Sequence, residues 1–166
     1  MERKKILIFG GGINQLTLID ACNNLGYVSI VIDPNFDAPG RQIAGFFEVV
    51  QPNDYERTKQ VAIDYKVDGI VTSQMENPLR LMAQLSADLG FIFNTPQVIE
   101  NSLNKYLMKQ AFVKFNVPHA KGIRYTSKAE LITEGVKGLE FPLIIKPTDS
   151  HSSRGVYKVD SFDQLL

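Results

Sequence analysis

A single cysteine, Cys22, stands in a chain of 166 residues that has no tryptophan. One thiol can neither close an intramolecular disulfide nor anchor a multi-cysteine metal centre. It falls within an amphipathic helix pattern, so it reads as a packed core thiol rather than a nucleophile. An excess of charge of either sign is also lacking: 18 Lys and Arg balance 18 Asp and Glu. The electrostatic footprint of a nucleic-acid binder is therefore missing. No apolar run approaches the ~18 residues that a membrane span needs. The short apolar stretch near the N-terminus enters glycines instead of a cleavage site. A Walker A pattern, repeats and low-complexity tracts are all absent. The two histidines, His119 and His151, read as solvated or hydrogen-bonded rather than catalytic. These absences leave a cytoplasmic protein with neither nucleic acid nor membrane as partner.

What is present is ordinary globular composition, 44% apolar and 22% charged, sufficient for a real core. "KKILIFG" is a continuous apolar run stopped by glycine, as expected of a strand buried on both faces. Residues 13–25 carry apolar side chains at helical spacing, and Gly26 follows as a stop. "YVSIVID", "FFEVV" and "DGIVTS" predict further strands, residues 54–65 and 78–89 helices, and "FIF" a short strand. Strands alternating with helices imply a mostly parallel, doubly wound α/β sheet.

After Phe93 the rhythm changes. Thr95-Pro96 opens a helix, Asn104 caps another that runs to Phe115, and "NVP" ends it. From His119 onward the pattern is strand ("GIRYT"), helix, strand ("FPLIIKP"), loop, strand ("GVYKV"). This predicts an α/β domain over 1–94, connecting helices over 95–118 and a partial α+β domain over 119–166. Ser127 with Glu130, and Ser161 with Gln164, have capping-box spacing. The second box precedes Leu166 by about one turn, too little for a stable helix. The chain therefore reads as the N-terminal part of a longer protein.

Two stretches have phosphate-binding character. Gly10-Gly11-Gly12 follows a strand and opens a helix, with Asp33 at the end of the next strand, superficially a dinucleotide fingerprint. The pattern fails at its last glycine, where Gln15 stands. A nicotinamide or flavin site, a substrate-facing turn and plain turn geometry all remain open. The second stretch is "KPTDSHSSRG", residues 146–155. Lys146 closes an apolar strand, where a phosphate–ammonium pair at ~4 Å gains about 4 kcal/mol of gross attraction at an effective dielectric near 20. Desolvation takes back much of this. Ser150, Ser152 and Ser153 offer hydroxyl donors, the loop backbone offers N–H groups, and Arg154 adds a charge. Gly155 permits close approach or positive φ. The alternative is a surface hairpin with a polar loop and a solvated lysine.

"FPLIIKPTDSHSSRGVYKV", preceded by "NKYLMKQAFVKFNVPHAKG", resembles the ATP-grasp superfamily, which includes carbamoyl-phosphate synthase, biotin carboxylase and the phosphoribosyl-ligating enzymes of purine synthesis. The resemblance implies that residues 1 to about 94 form the pre-ATP-grasp domain and the remainder begins the grasp fold. It implies that Lys105 and Lys146 contact nucleotide phosphates, and that Ser150, Ser152, Ser153, Arg154 and Gly155 belong to the loop covering the triphosphate. This loop has fewer glycines than is usual in the family, and Asp149 and His151 besides. Substrate contacts are implied at Gly11, Gly12 and, in "TSQMENP", Glu76. Glu76 also reads as a helix-start residue favoured by the dipole.

The expected activity is thus that of an ATP-dependent ligase that activates a carboxylate as an acyl phosphate for attack by an amine or other nucleophile. ATP and Mg2+ are the implied cofactors, with the metal ligands beyond Leu166 and none in residues 1–166. The partners are a small carboxylate and a nucleophile, and a homodimer is compatible with this reading. No basic site for a phosphoribosyl group is evident, which favours an amino acid or other small carboxylate. The 166 residues alone are expected not to turn over and to bind ATP weakly. A nicotinamide- or flavin-dependent oxidoreductase domain and a noncatalytic nucleotide-binding module are the rival readings.

Overall fold

The computed structural model describes residues 2–150 and 153–166. The chain divides into two compact units, one ending at Ile99 and the other beginning at Glu100. The first is built on four strands: β1 (Lys5–Phe9), β2 (Val28–Asp33), β3 (Phe46–Val49) and β4 (Gly69–Thr72). All are parallel, in the order β3-β2-β1-β4. The helices between them are α1 (Leu16–Asn24) and α2 (Tyr55–Asp64), and α3 (Leu79–Leu89) follows β4.

Alternation along the central strands explains the layering. Leu7 and Phe9 of β1, with Ile30 and Ile32 of β2, pack against Val61 and Ala62 of α2 and Met82 and Leu85 of α3. The intervening residues Ile8 and Val31 point the other way, onto Ile19 and Cys22 of α1. Successive side chains of a strand face opposite sides, so a sheet buried on both faces needs the near-continuous apolar runs seen here. Cys22 is one of these core side chains, and burial pushes its thiol pKa up. Ser29 is fully buried yet satisfied: its hydroxyl donates to Asn23 Oδ1 at 2.8 Å and accepts from Gly45 N–H at 2.9 Å.

Local signals act as expected at most helix ends. Asp54 caps α2 by accepting from the Arg57 N–H at 3.0 Å, and Gly90 ends α3 in the left-handed conformation. The helix expected over 13–25 instead starts with a 3-10 turn, Ile13–Gln15, before α1. Gln15 ends that turn; it is buried, and its Nε2 donates to the Ser73 carbonyl at 2.8 Å. "FIF" is not a strand. Phe91 and Phe93 pack on the core while Ile92 is 102% exposed, so the alternation is there without a hydrogen-bonded partner.

The second unit contains α5 (Lys105–Lys114), α6 (Lys128–Glu134), β5 (Leu143–Ile145), β6 (Tyr157–Val159) and α7 (Phe162–Leu165); α4 (Pro96–Leu103) spans the division. Strands β5 and β6 are antiparallel, pairing Ile144 with Lys158. Asn104 caps α5 through the N–H groups of Tyr106 and Leu107. Ser127 caps α6, but the Glu130 carboxylate binds the N–H and hydroxyl of Thr126 instead of closing the box. Those bonds hold its pKa below the usual carboxylate value. "GIRYT" is not a strand, because no described strand pairs with it. Among the described residues of this unit Val159 alone is buried. A two-stranded ribbon with one buried side chain is marginal in water.

Two expectations follow. Amide hydrogen exchange at Leu7, Ile8, Ile30 and Val31 should be slowest, with β5 and β6 exchanging at least roughly 100-fold faster; equal protection measured by mass spectrometry or NMR would contradict the burial pattern. The second concerns Asp88, which accepts from the Tyr55 hydroxyl and from Lys59 Nζ. Those bonds, the tyrosine's first, lower its pKa below 3.8. The stability it adds is therefore present above that value and is lost as pH falls through the depressed pKa. The gap in urea midpoint between wild type and Asp88→Asn should be open at neutral pH and close on acidification, never the reverse.

Candidate functional sites

The glycine turn of the first unit sits where β1 and β2 end. Gly11 is held through both of its backbone polar groups: its N–H donates to Asp33 Oδ2 at 2.8 Å, and its carbonyl accepts from Gly40 N–H at 2.7 Å. The other Asp33 oxygen accepts from the Asn35 N–H at 2.8 Å. Asp33 therefore ties two loops together before any ligand arrives. Gly40 was not singled out by sequence reasoning. A Cβ there would lie 2.8 Å from the Gly11 carbonyl oxygen and 2.7 Å from Ile19 Cδ1, so no other residue fits without moving the turn. The only sequence signal was its place in "DAPGRQ", a proline–glycine pair that marks turns generally.

Gln15 occupies the space that the third glycine of a dinucleotide fingerprint would leave open. A Cβ on Gly12 would meet Gln15 Oε1 at 3.1 Å. Gly12 itself has extended, ordinary dihedrals, φ −67° and ψ 175°. Glu76 lies exposed in the connection from β4 to α3; its main-chain oxygen accepts from the Leu79 N–H at 3.2 Å. Its carboxylate makes no hydrogen bond or ion pair among the described residues, so it is available to a ligand.

In the second unit, the start of α5 and the loop after β5 come together. Lys105 opens α5; its backbone N–H donates to the Thr148 carbonyl at 2.7 Å, and its Nζ donates to the Ser150 carbonyl. Lys146 follows β5 directly and is exposed. Thus the helix lysine grips the loop that the strand lysine begins. The Ser150 hydroxyl donates across the loop to the Arg154 carbonyl at 2.8 Å. The Lys146 ammonium and the Arg154 guanidinium make no hydrogen bond or ion pair among the described residues. Ser153 (φ 57°) and Gly155 (φ 69°) are left-handed; at Gly155 a Cβ would also strike Pro147 Cγ at 2.9 Å. Ser152 and His151 lie outside the described residues. Chemically, this is a loop whose two cations have no ion-pair partner among the described residues, suited to anions. His119 Nδ1 donates to the Val117 carbonyl, 2.8 Å away. Among the described residues no three His, Cys, Asp or Glu side chains stand together as metal ligands.

Comparison with known proteins gives these features a family. The ribonucleotide synthetase preATP-grasp domain matches residues 3–102. The chain is 26% identical over 166 residues to a formate-dependent phosphoribosylglycinamide formyltransferase of Prochlorococcus marinus, covering 99% of the chain and 42% of that protein. It is 26% identical over 171 residues to a phosphoribosylaminoimidazole carboxylase of Candida glabrata, covering 29% of it. Among solved structures, phosphoribosylglycinamide synthetase of Anaerococcus prevotii aligns with 99% of the chain and 40% of its own, at 25% identity and a TM-score of 0.73. N5-carboxyaminoimidazole synthetase of Staphylococcus aureus complexed with ADP aligns at 20% identity and a TM-score of 0.81, over 99% of the chain and 44% of its own; that likeness shows the fold. The chain thus spans about two fifths of the length of the formyltransferase it matches. Its four parallel strands, glycine turn and family match place it in the ribonucleotide synthetase preATP-grasp domain family.

Proposed function

We propose that the chain is the N-terminal portion of an ATP-dependent ligase of the ATP-grasp type, which transfers the terminal phosphoryl of ATP to a small carboxylate and lets an amine displace it. The observation that carries this reading is the grip of Lys105 on the 146–155 loop. Two lysines from separate segments thereby serve one anion-binding loop.

In this reaction the carboxylate oxygen attacks the γ-phosphorus and ADP leaves. The amine then attacks the acyl carbon, and inorganic phosphate departs with the former carboxylate oxygen. The protein mainly positions groups and neutralises charge, as phosphoryl transfer requires. Lys105 and Lys146 meet the phosphates. Ser153, Arg154 and the loop amides meet them as well, and Ser150 braces the loop through its bond to the Arg154 carbonyl. Gly12 presents backbone to the substrate, Gly11 holds the turn beside it through its own two bonds, and Glu76 accepts from the substrate's amine. Mg2+ accompanies ATP in such chemistry, but the described residues offer no ligand set for it, so no step here is routed through the metal.

The names of the curated relatives turn the substrate reading away from an amino acid and toward a phosphoribosyl amine, with a one-carbon carboxylate as donor. The partners are then small molecules in the cytoplasm. Dinucleotide binding is the weaker alternative, because both Asp33 oxygens already accept backbone N–H groups and Gln15 fills the turn.

Calorimetric titration of Mg-ATP and of NADH tests the proposal. Weak ATP binding, reduced at least about tenfold by Lys146→Ala and by Lys105→Ala, is expected, with circular dichroism confirming that both variants fold. NADH binding that survives Lys146→Ala while ATP fails to bind would overturn it.

A further inference from the structure

Helix α5 has little core to hold it in place. None of its described residues is buried, so its orientation depends on the polar and ring contacts of single side chains. Those contacts fall along one stripe. Lys105, Lys109 and Phe112 stand at i, i+4 and i+7, which places them on one face of the helix. At the first turn the Lys105 N–H donates to the Thr148 carbonyl at 2.7 Å. At the last turn the Phe112 carbonyl accepts from the Val117 N–H at 2.8 Å, and its ring centre lies 5.9 Å from that of His119. Lys109 stands between these two ends.

Lys109 is half-buried, and its ammonium donates to the Ala120 carbonyl. Its stem runs over Gly122, where an added Cβ would lie 3.0 Å from Lys109 Cε and 3.2 Å from Nζ. Gly122 thus leaves the room that the lysine occupies. One turn earlier, the Arg124 guanidinium lies 5.0 Å from the centre of the Tyr106 ring. Residues 117–124 therefore return along α5, opposite in direction, and touch it at successive turns. Among these contacts Lys109 supplies the hydrogen bond with a charged donor, the strongest kind. Its partner is a main-chain carbonyl rather than a carboxylate. The tie therefore holds the helix without bringing an acid one turn from Lys105. Without it, the firm anchors of α5 are at its ends, and the one at the first turn is the Lys105–Thr148 bond itself.

We infer that Lys109 is a positioning residue for the anion-binding loop: by fastening residues 120–122 along α5, it fixes the turn from which Lys105 reaches that loop. What the loop binds rests on the ligase reading; the geometry that Lys109 sets does not.

Lys109→Met, which keeps the stem and removes the donor, and Lys109→Arg, which restores a cationic donor, are compared with wild type in the full chain. Without nucleotide, amide exchange at Lys105, followed by NMR, should be about tenfold faster in Lys109→Met, the size of one hydrogen bond to a charged group. Lys109→Arg should stay near wild type. Exchange at Leu131 and Gly135, whose N–H groups are bonded within and after α6, should not change, which separates positioning from unfolding of the unit. The Kd for Mg-ATP should rise severalfold in Lys109→Met. Gly122→Val should raise it as well, because its branches displace the Lys109 ammonium while the charge stays in the chain. Unchanged exchange at Lys105, equal acceleration at Leu131 and Gly135, or a Kd indifferent to Gly122→Val would each overturn the assignment. A wild-type chain that binds no Mg-ATP would sink the ligase reading alone, and the exchange comparison then decides the role of Lys109 by itself.

Discussion

Gly11 accepts no freedom of position: Asp33 takes its N–H and Gly40 supplies the N–H to its carbonyl. Both bonds join the loop after β1 to the loops after β2. Because β1 and β2 are central in the sheet, fixing these loops fixes the floor of everything built at the carboxyl edge. Backbone groups near a ligand must be satisfied either by protein or by that ligand, and here the protein satisfies them first. The Glu76 carboxylate at the same edge has no hydrogen-bond or ion-pair partner among the described residues. Preorganisation of this kind lowers the ordering cost of binding.

The second unit works under a different constraint. Its ribbon and short helices bury almost nothing, so local bonds, not a core, set its geometry. Three caps define its helix starts, at Asn104, Ser127 and Ser161. Lys105 then fastens the 146–155 loop by both its backbone and its side chain. Among the described residues Lys146 and Arg154 have no hydrogen-bond or ion-pair partner for their side chains. Leaving cations uncompensated is costly only if they are buried; exposed at a loop, they are available for an anion at little cost to the fold. The relatives' likeness extends through this unit as well as the first, since the alignments cover 99% of the chain.

Much of this was legible in the residues themselves. Apolar runs named β1 and β2, periodicity named α2 and α3, and capping side chains placed helix starts within a residue. These signals are local, and local propensity agrees with the fold here. The failures are equally specific. "FIF" and "GIRYT" have strand-like composition, but a strand exists only through a partner, and none of the described strands supplies one. Glutamine at position 15 marked a departure from the dinucleotide pattern; that it would be buried, bond Ser73 and end a 3-10 turn was not readable from the chain.

The sequence by itself determined the parallel α/β class, the helix caps, and the two lysine-bearing segments, because each is encoded within a few neighbouring residues. Only the tertiary structure decided which of them meet. Asp33 was the acid of a dinucleotide-like pattern in one dimension and is a loop clamp in three. Gly40 was a turn residue and is the close contact that no side chain can enter. Such pairings depend on which carboxyl ends the strand order brings side by side, and strand order is a property of long-range packing that no local pattern carries.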